Sequence, residues 1–189
     1  HPTRSGMAFA GWYKDAELKY PCSAGDTEGA AWAKFVKVAD LFHFLGCSLN
    51  RSDNVPAEHT TPRFAYTMAV PEGSALIECG WYFKKITNPS LPDVRSPSGT
   101  IVVQTGGTVY TALTFNKVAP KYYEKKFSTK AFAKYTTADG TTVEAVEADY
   151  DAFTVAEIAD AVLAHPMATQ ADKDYAAAIK AAVPQEGAA

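Results

Sequence analysis

Along residues 126–135 the chain alternates with the period of a β-strand. Phe127, Thr129, Ala131, Ala133 and Tyr135 fall on one face, and Lys126, Ser128, Lys130, Phe132 and Lys134 on the other. That is the pattern of a strand with one side toward water. Asp139-Gly140 then supplies a turn, because glycine accepts φ > 0, and Thr141-Thr142-Val143 begins a return strand. Residues 112–145 therefore predict a β-hairpin around which the rest is organised. Strands before it pack against it, and helices after it close its end.

Upstream, residues 7–13 read as a strand, with a turn at Lys14-Asp15-Ala16. Residues 30–36 read as a second, with Ala31, Ala33 and Phe35 on one face and Trp32 and Lys34 on the other. A strand is expected through Phe42, Phe44 and Leu45-Gly46-Cys47-Ser48-Leu49, and a polar, proline-bearing loop over residues 51–62. Residues 63–70 alternate, with Phe64, Tyr66 and Met68 on one face; residues 75–85 form the next strand. Residues 88–99, carrying Pro89, Pro92 and Pro97, read as a long loop. Thr100-Ile101-Val102-Val103 and Thr108-Val109-Tyr110-Thr111 flank Gly106-Gly107 as a further hairpin. About seven strands separated by turn signals predict a β-sandwich.

The tail changes period. Thr154-Val155-Ala156-Glu157 is a capping box, and Val155, Ile158, Ala159, Val162 and Leu163 form one apolar stripe, ended by His165-Pro166. Thr169 opens a second helix with Tyr175, Ala178, Ile179 and Val183 on one side, stopping near Pro184. The class is mainly β, organised as a small module over 1–38, a sandwich over 39–150 and a helical tail over 151–189.

Charge and composition narrow the partners. A net charge of −3 with no basic run excludes the electrostatic stripe of a nucleic-acid binder. No apolar run approaches the roughly 18–20 residues of a membrane-spanning helix, so no direct membrane insertion is expected. Cys22, Cys47 and Cys79 make no CxxC pair. Cys47–Cys79 is the candidate disulfide, since both lie in predicted strands; three free or buried thiols is the competing reading. His43, His59 and His165 lack ligand spacing, so no metal site and no cofactor are expected. Glu72, Glu78 and Asp93 are the acids to weigh as a glycosidase pair, against the commoner reading of solvated surface carboxylates. No Gly-x-Ser-x-Gly elbow occurs, and no catalytic residue is assigned. Leu91-Pro92-Asp93-Val94-Arg95 lacks the apolar tail and basic end of a sortase signal. The lysine-rich run 117–134, interleaved with Tyr122, Tyr123 and Phe127, reads as a wet strand face, with a charged stacking surface as the alternative.

Two stretches carry family resemblances. PTRSGMAFAGWYKDAELK (residues 2–19) followed by AAWAKF (30–35) resembles the second half of the Listeria–Bacteroides repeat, or internalin B-repeat, a small β-grasp-like module. Pro2, Thr3, Arg4, Gly6, Phe9, Gly11, Trp12, Tyr13, Ala33 and Lys34 sit at its matching positions, Met7 replaces an aromatic, and the N-terminal half of the repeat is missing. The chain opens at His1-Pro2 inside this motif, which reads as a fragment or a processed product. A second stretch resembles an immunoglobulin-like module of Gram-positive surface proteins, through Arg63, Phe64, Gly80, Tyr82, Tyr123, Phe127, Ala131, Phe132 and Gly140.

The first resemblance implies an extracellular repeat protein of the bacterial cell envelope and implies no catalysis. The expected function is that of a structural or adhesive module of a cell-surface or secreted protein. It would contact neighbouring modules of its own chain and a host or cell-wall glycan or protein. The alternative is a carbohydrate-binding accessory module using Trp12, Trp32 or Trp81 as stacking rings. A coplanar pair of accessible rings favours sugar binding, and buried rings favour a scaffold.

Overall fold

Alternating residues and turn signals become three antiparallel sheets and two C-terminal helices in the computed structural model, which describes residues 1–26, 29–98, 102–103 and 108–184. In chain order the strands are β1 (Met7–Tyr13), β2 (Trp32–Lys37), β3 (Phe42–Asn50), β4 (Thr61–Met68), β5 (Ala75–Phe83), β6 (Val94–Pro97), β7 (Val102–Val103), β8 (Val109–Thr114), β9 (Phe127–Thr136), β10 (Thr142–Val146) and β11 (Asp151–Phe153). Two helices follow, α1 (Val155–Ala164) and α2 (Gln170–Ala182).

β1 and β2 pair as a two-stranded sheet. A second sheet has the order β3-β4-β8-β7, and a third the order β10-β9-β5-β6. β11 pairs with the start of β9, on the edge that β10 occupies further along, because β5 fills the other edge. The inner faces of the two larger sheets meet through aromatic rings. Trp81 on β5 stands edge-on to Tyr66 on β4 at 4.7 Å, and its indole N–H donates to Thr111 on β8 at 3.3 Å. Phe44 on β3 stacks on Phe153 on β11 at 5.7 Å. Phe64, Tyr66, Trp81, Phe127 and Tyr135 are all sealed from water, so the core is largely aromatic.

The expected hairpin around Asp139-Gly140 is β9–β10, with Gly140 at φ 86°. Its inward face is buried as the alternation predicts. Phe132 is the exception: it lies on the outward face yet is fully buried, because Arg95 and Tyr82 cover its ring. Residues 112–114 belong to β8 in the opposite sheet, so the hairpin is shorter than the predicted stretch. The predicted loop over 88–99 contains β6, whose Pro97 ends an edge strand, where a missing N–H costs no ladder bond. Of the predicted hairpin around Gly106-Gly107, β7 and β8 pair, and the turn lies outside the described residues.

Both helices begin on the expected caps. Thr154 accepts from the Glu157 amide at 2.9 Å while Glu157 accepts from the Thr154 amide at 2.7 Å, and Thr169 and Asp172 repeat the box. Val155 and Ala159 of the α1 stripe join the core, Ile158 is buried beside them, and the helix packs against β3. On α2 the inward positions are Ala176 and Ile179, and Ala178 faces water.

Candidate functional site

The chemistry-bearing residues gather in four places: the junction of the β1–β2 hairpin with the larger sheets, the outer face of the third sheet, a half-buried carboxylate cluster, and a groove beside the helices.

At the junction the β9–β10 turn grips β1. Asp139 Oδ2 accepts from the Trp12 amide at 2.9 Å and from the Thr137 hydroxyl at 3.2 Å. Its Oδ1 accepts from the Thr141 amide at 3.1 Å and from the Thr141 hydroxyl. The Tyr135 hydroxyl donates to the Phe9 carbonyl at 2.7 Å. These two grips straddle a β-bulge between Phe9 and Gly11. Gly11 sits at φ 115°, where a side chain is strained, and a Cβ there would crowd Asp139 Oδ2 at 3.0 Å, so glycine leaves the carboxylate its place. Burial works against the charge on Asp139, but the hydrogen bonds from Thr141, the Trp12 amide and Thr137 outweigh it and hold its carboxyl below the usual range. Burial pushes the Tyr135 phenol up to about 12.

An open cleft of about 1070 Å³ lies against this junction, lined by Trp12, Lys14, Asp26, Trp32, Asp139 and Thr141 among others. The loop after β1 returns along its free edge: the Lys14 amide donates to the Tyr20 carbonyl, and the Cys22 amide to the Trp12 carbonyl, both at 2.8 Å. Lys14 and Asp26 form an ion pair at 2.9 Å on its wall. The three candidate stacking rings part company here. Trp81 is sealed in the core and cannot meet a ligand. The pairing of Trp12 with Ala33 and of Tyr13 with Trp32 puts the other two rings on opposite faces of the hairpin. Trp12 is half-buried and Trp32 is 40% exposed, and no coplanar pair forms.

On the outer face of the third sheet, Arg95 is bidentate to Glu78 at 2.7 and 3.2 Å and also bonds Glu144 at 3.0 Å. Its guanidinium lies 3.9 Å from the Phe132 ring centroid. Beside it, Asp93 receives Lys84 at 3.2 Å, Lys130 at 3.8 Å and the Tyr150 hydroxyl. Arg95 holds the Glu78 carboxyl below its ordinary range, and Tyr150 with Lys84 does the same to Asp93. A glycosidase acid must be held protonated, so neither suits that role, and Glu72 sits in an exposed turn.

The sequence did not point to a third cluster. The buried Tyr66 hydroxyl crosses the sandwich edge to donate to Asp151. Nearby, Glu147 accepts the Ala131 amide at 3.1 Å. Burial raises the Glu147 carboxyl, and that amide only partly opposes it. The Glu147-Asp149-Asp151 alternation was the available signal, but it shows no partner until β4 lies across it.

The fourth feature is an apolar groove of about 280 Å³ between β3 and the helices, lined by Cys47, Leu49, Ile158, Val162 and Tyr175 among others. The candidate Cys47–Cys79 bridge is not formed, and all three cysteines are free. Cys47 lies on edge strand β3 of one sheet, and Cys79 on β5, held between β9 and β6 in the other. Burial, and then the charge of Asp151, push the Cys47 thiol up to about 12, which keeps it protonated and unreactive at neutral pH.

His43 and His165 are exposed, and His59 contacts the Asp53 carbonyl at 3.2 Å. Among the described residues no His, Cys, Asp and Glu cluster could hold a metal ion, and no helix is long and apolar enough to cross a membrane. In the lysine-rich run, Tyr123 and Phe127 are fully buried, so they offer no stacking surface. Compared with protein-family models, with curated proteins and with solved structures, the chain matches none.

Proposed function

We propose that this chain is a non-enzymatic structural module of a bacterial cell-surface or secreted protein, in which a B-repeat-like hairpin is clamped to an immunoglobulin-like sandwich to make one stiff segment of a stalk. The observation that carries this reading is the double grip on β1. Asp139 and Tyr135 hold backbone atoms on both sides of the Gly11 bulge. A stalk transmits force along the chain, and a hairpin tied at two points to its neighbour cannot swing freely at their junction.

The strand order supports the immunoglobulin-like part. Lettering β3, β4, β5, β6, β7, β8, β9 and β10 as A, B, C, C′, D, E, F and G gives sheets A-B-E-D and G-F-C-C′. That is the Greek-key order of such sandwiches, and a buried tryptophan on strand C, here Trp81, is one of their marks. The envelope location rests on the sequence resemblance.

Single-molecule pulling of the intact chain tests the reading. The expected trace has no low-force extension of residues 1–38 ahead of the sandwich. Release of that segment at low force, before the main unfolding event, would sink the proposal.

A further inference from the structure

The cleft over Trp12 is built from the same junction as the clamp, yet the clamp leaves its ligand-binding groups unspent. Trp12 is fixed in place: its backbone amide is tied to Asp139, and its ring packs edge-on against Phe9 at 5.6 Å. Among the described residues no group accepts its indole N–H, whereas that of the core Trp81 is satisfied by Thr111. A half-wet indole with an unspent donor combines an apolar face with a polar edge.

The wall beside it carries a cation and an anion. Asp26 Oδ2 takes the Lys14 ammonium at 2.9 Å and the Ser23 amide at 2.7 Å, and among the described residues nothing donates to Oδ1. Lys14 has hydrogens to spare beyond that one contact. Among the described residues the ionised groups lining the cleft are Lys14, Asp26 and Asp139, two anions to one cation. That balance repels a phosphate or a carboxylate. It suits a neutral ligand with an apolar C–H face for the indole and hydroxyls that both donate and accept.

We propose that this cleft binds a neutral saccharide, with a pyranose ring on Trp12 and its hydroxyls bonded to Lys14 and Asp26. Trp32 also lines the cleft, but from the opposite face of the hairpin, so it can touch a second sugar unit but cannot sandwich the first. A single supporting ring and two polar partners correspond to a Kd on the order of 1 mM for one sugar unit. This goes beyond the structural reading, because the clamp would persist if the cleft bound nothing.

The test is a titration of the intact, isotopically labelled chain with neutral mono- and tetrasaccharides of glucose, mannose and N-acetylglucosamine. The indole N–H resonances of Trp12, Trp32 and Trp81 are followed. The expected result is a saturable shift of Trp12 with at least one sugar while Trp81 stays still. Because Trp12→Ala would disturb packing against Phe9, the control is the exposed pair Lys14→Ala with Asp26→Ala. This double variant should bind roughly tenfold more weakly, the loss of charge-assisted hydrogen bonds, with Trp81 unmoved. Two outcomes would overturn the proposal: no saturable Trp12 shift with any of these sugars, or sugar binding indifferent to the double variant.

Discussion

The hydroxyl of Tyr135 donates to the carbonyl oxygen of Phe9 at 2.7 Å, joining residues 126 positions apart in a place sealed from water. Tyr135→Phe keeps the ring and removes the donor, leaving a buried acceptor without this partner. Destabilisation by about 1–3 kcal/mol is expected. It should appear as a lower urea midpoint at unchanged slope. Hydrogen exchange should quicken at β1 amides before those of β4. An unchanged midpoint would mean that this bond contributes nothing to the joint.

Asp139 and Glu147 give stability opposite slopes with pH. The folded carboxyl of Asp139 lies below its unfolded value, so the unfolded chain binds the extra proton. Its contribution is present above the ordinary aspartate range, about 3.9, and is lost as pH falls through the folded value. Glu147 is raised, so the folded chain binds the extra proton. Its contribution is present below the ordinary glutamate range, about 4.3, and is lost as pH rises through the folded value. Glu147→Gln should therefore flatten the decline above that range, and Asp139→Asn the decline at acid pH. Urea midpoints from pH 3 to 8, roughly spanning both windows, check the two signs independently.

Gly80 packs under the outer-face cluster with no room for a side chain. A Cβ there would lie 2.3 Å from the Ser96 carbonyl oxygen and 2.9 Å from the Phe132 ring. The first is backbone of the paired strand β6, which can move only by loosening the ladder. Gly80→Ala should cost about 1–3 kcal/mol or more, read as a lower thermal midpoint. A midpoint equal to that of the parent chain would show that β6 yields freely.

The cysteines make a chemical prediction. Denatured without reductant, the chain should titrate as three thiols, since none is bridged. In the folded chain at neutral pH, Cys47 and Cys79 should resist alkylation, because Cys47 is raised to about 12 and Cys79 is fully buried and likewise raised by burial. A count of one thiol in the denatured chain, with Cys22 the one labelled, would restore the Cys47–Cys79 bridge.

Local chemistry was legible wherever one face of an element met water. Alternation located β2, β4 and β9, glycine marked the β9–β10 turn, and a capping box marked the start of α1. β6 stayed hidden because a four-residue edge strand is stabilised by its neighbour, and its own composition reads as loop. The roles of individual aromatics stayed hidden for a related reason. Trp12, Trp32 and Trp81 are alike by residue type, and pairing register and sheet stacking alone put two at a cleft, on opposite faces of a hairpin, and one in the core.

By itself, then, the amino-acid order determined where most strands, turns and both helices lie, because those preferences act between residues a few positions apart. Only the tertiary structure decided that Asp139 and Tyr135 grip β1, that Arg95 seals Phe132, and that Cys47 and Cys79 stand in separate sheets. Each of these joins or divides distant parts of the chain. Such contacts depend on how sheets stack and which edges pair, which no local periodicity encodes.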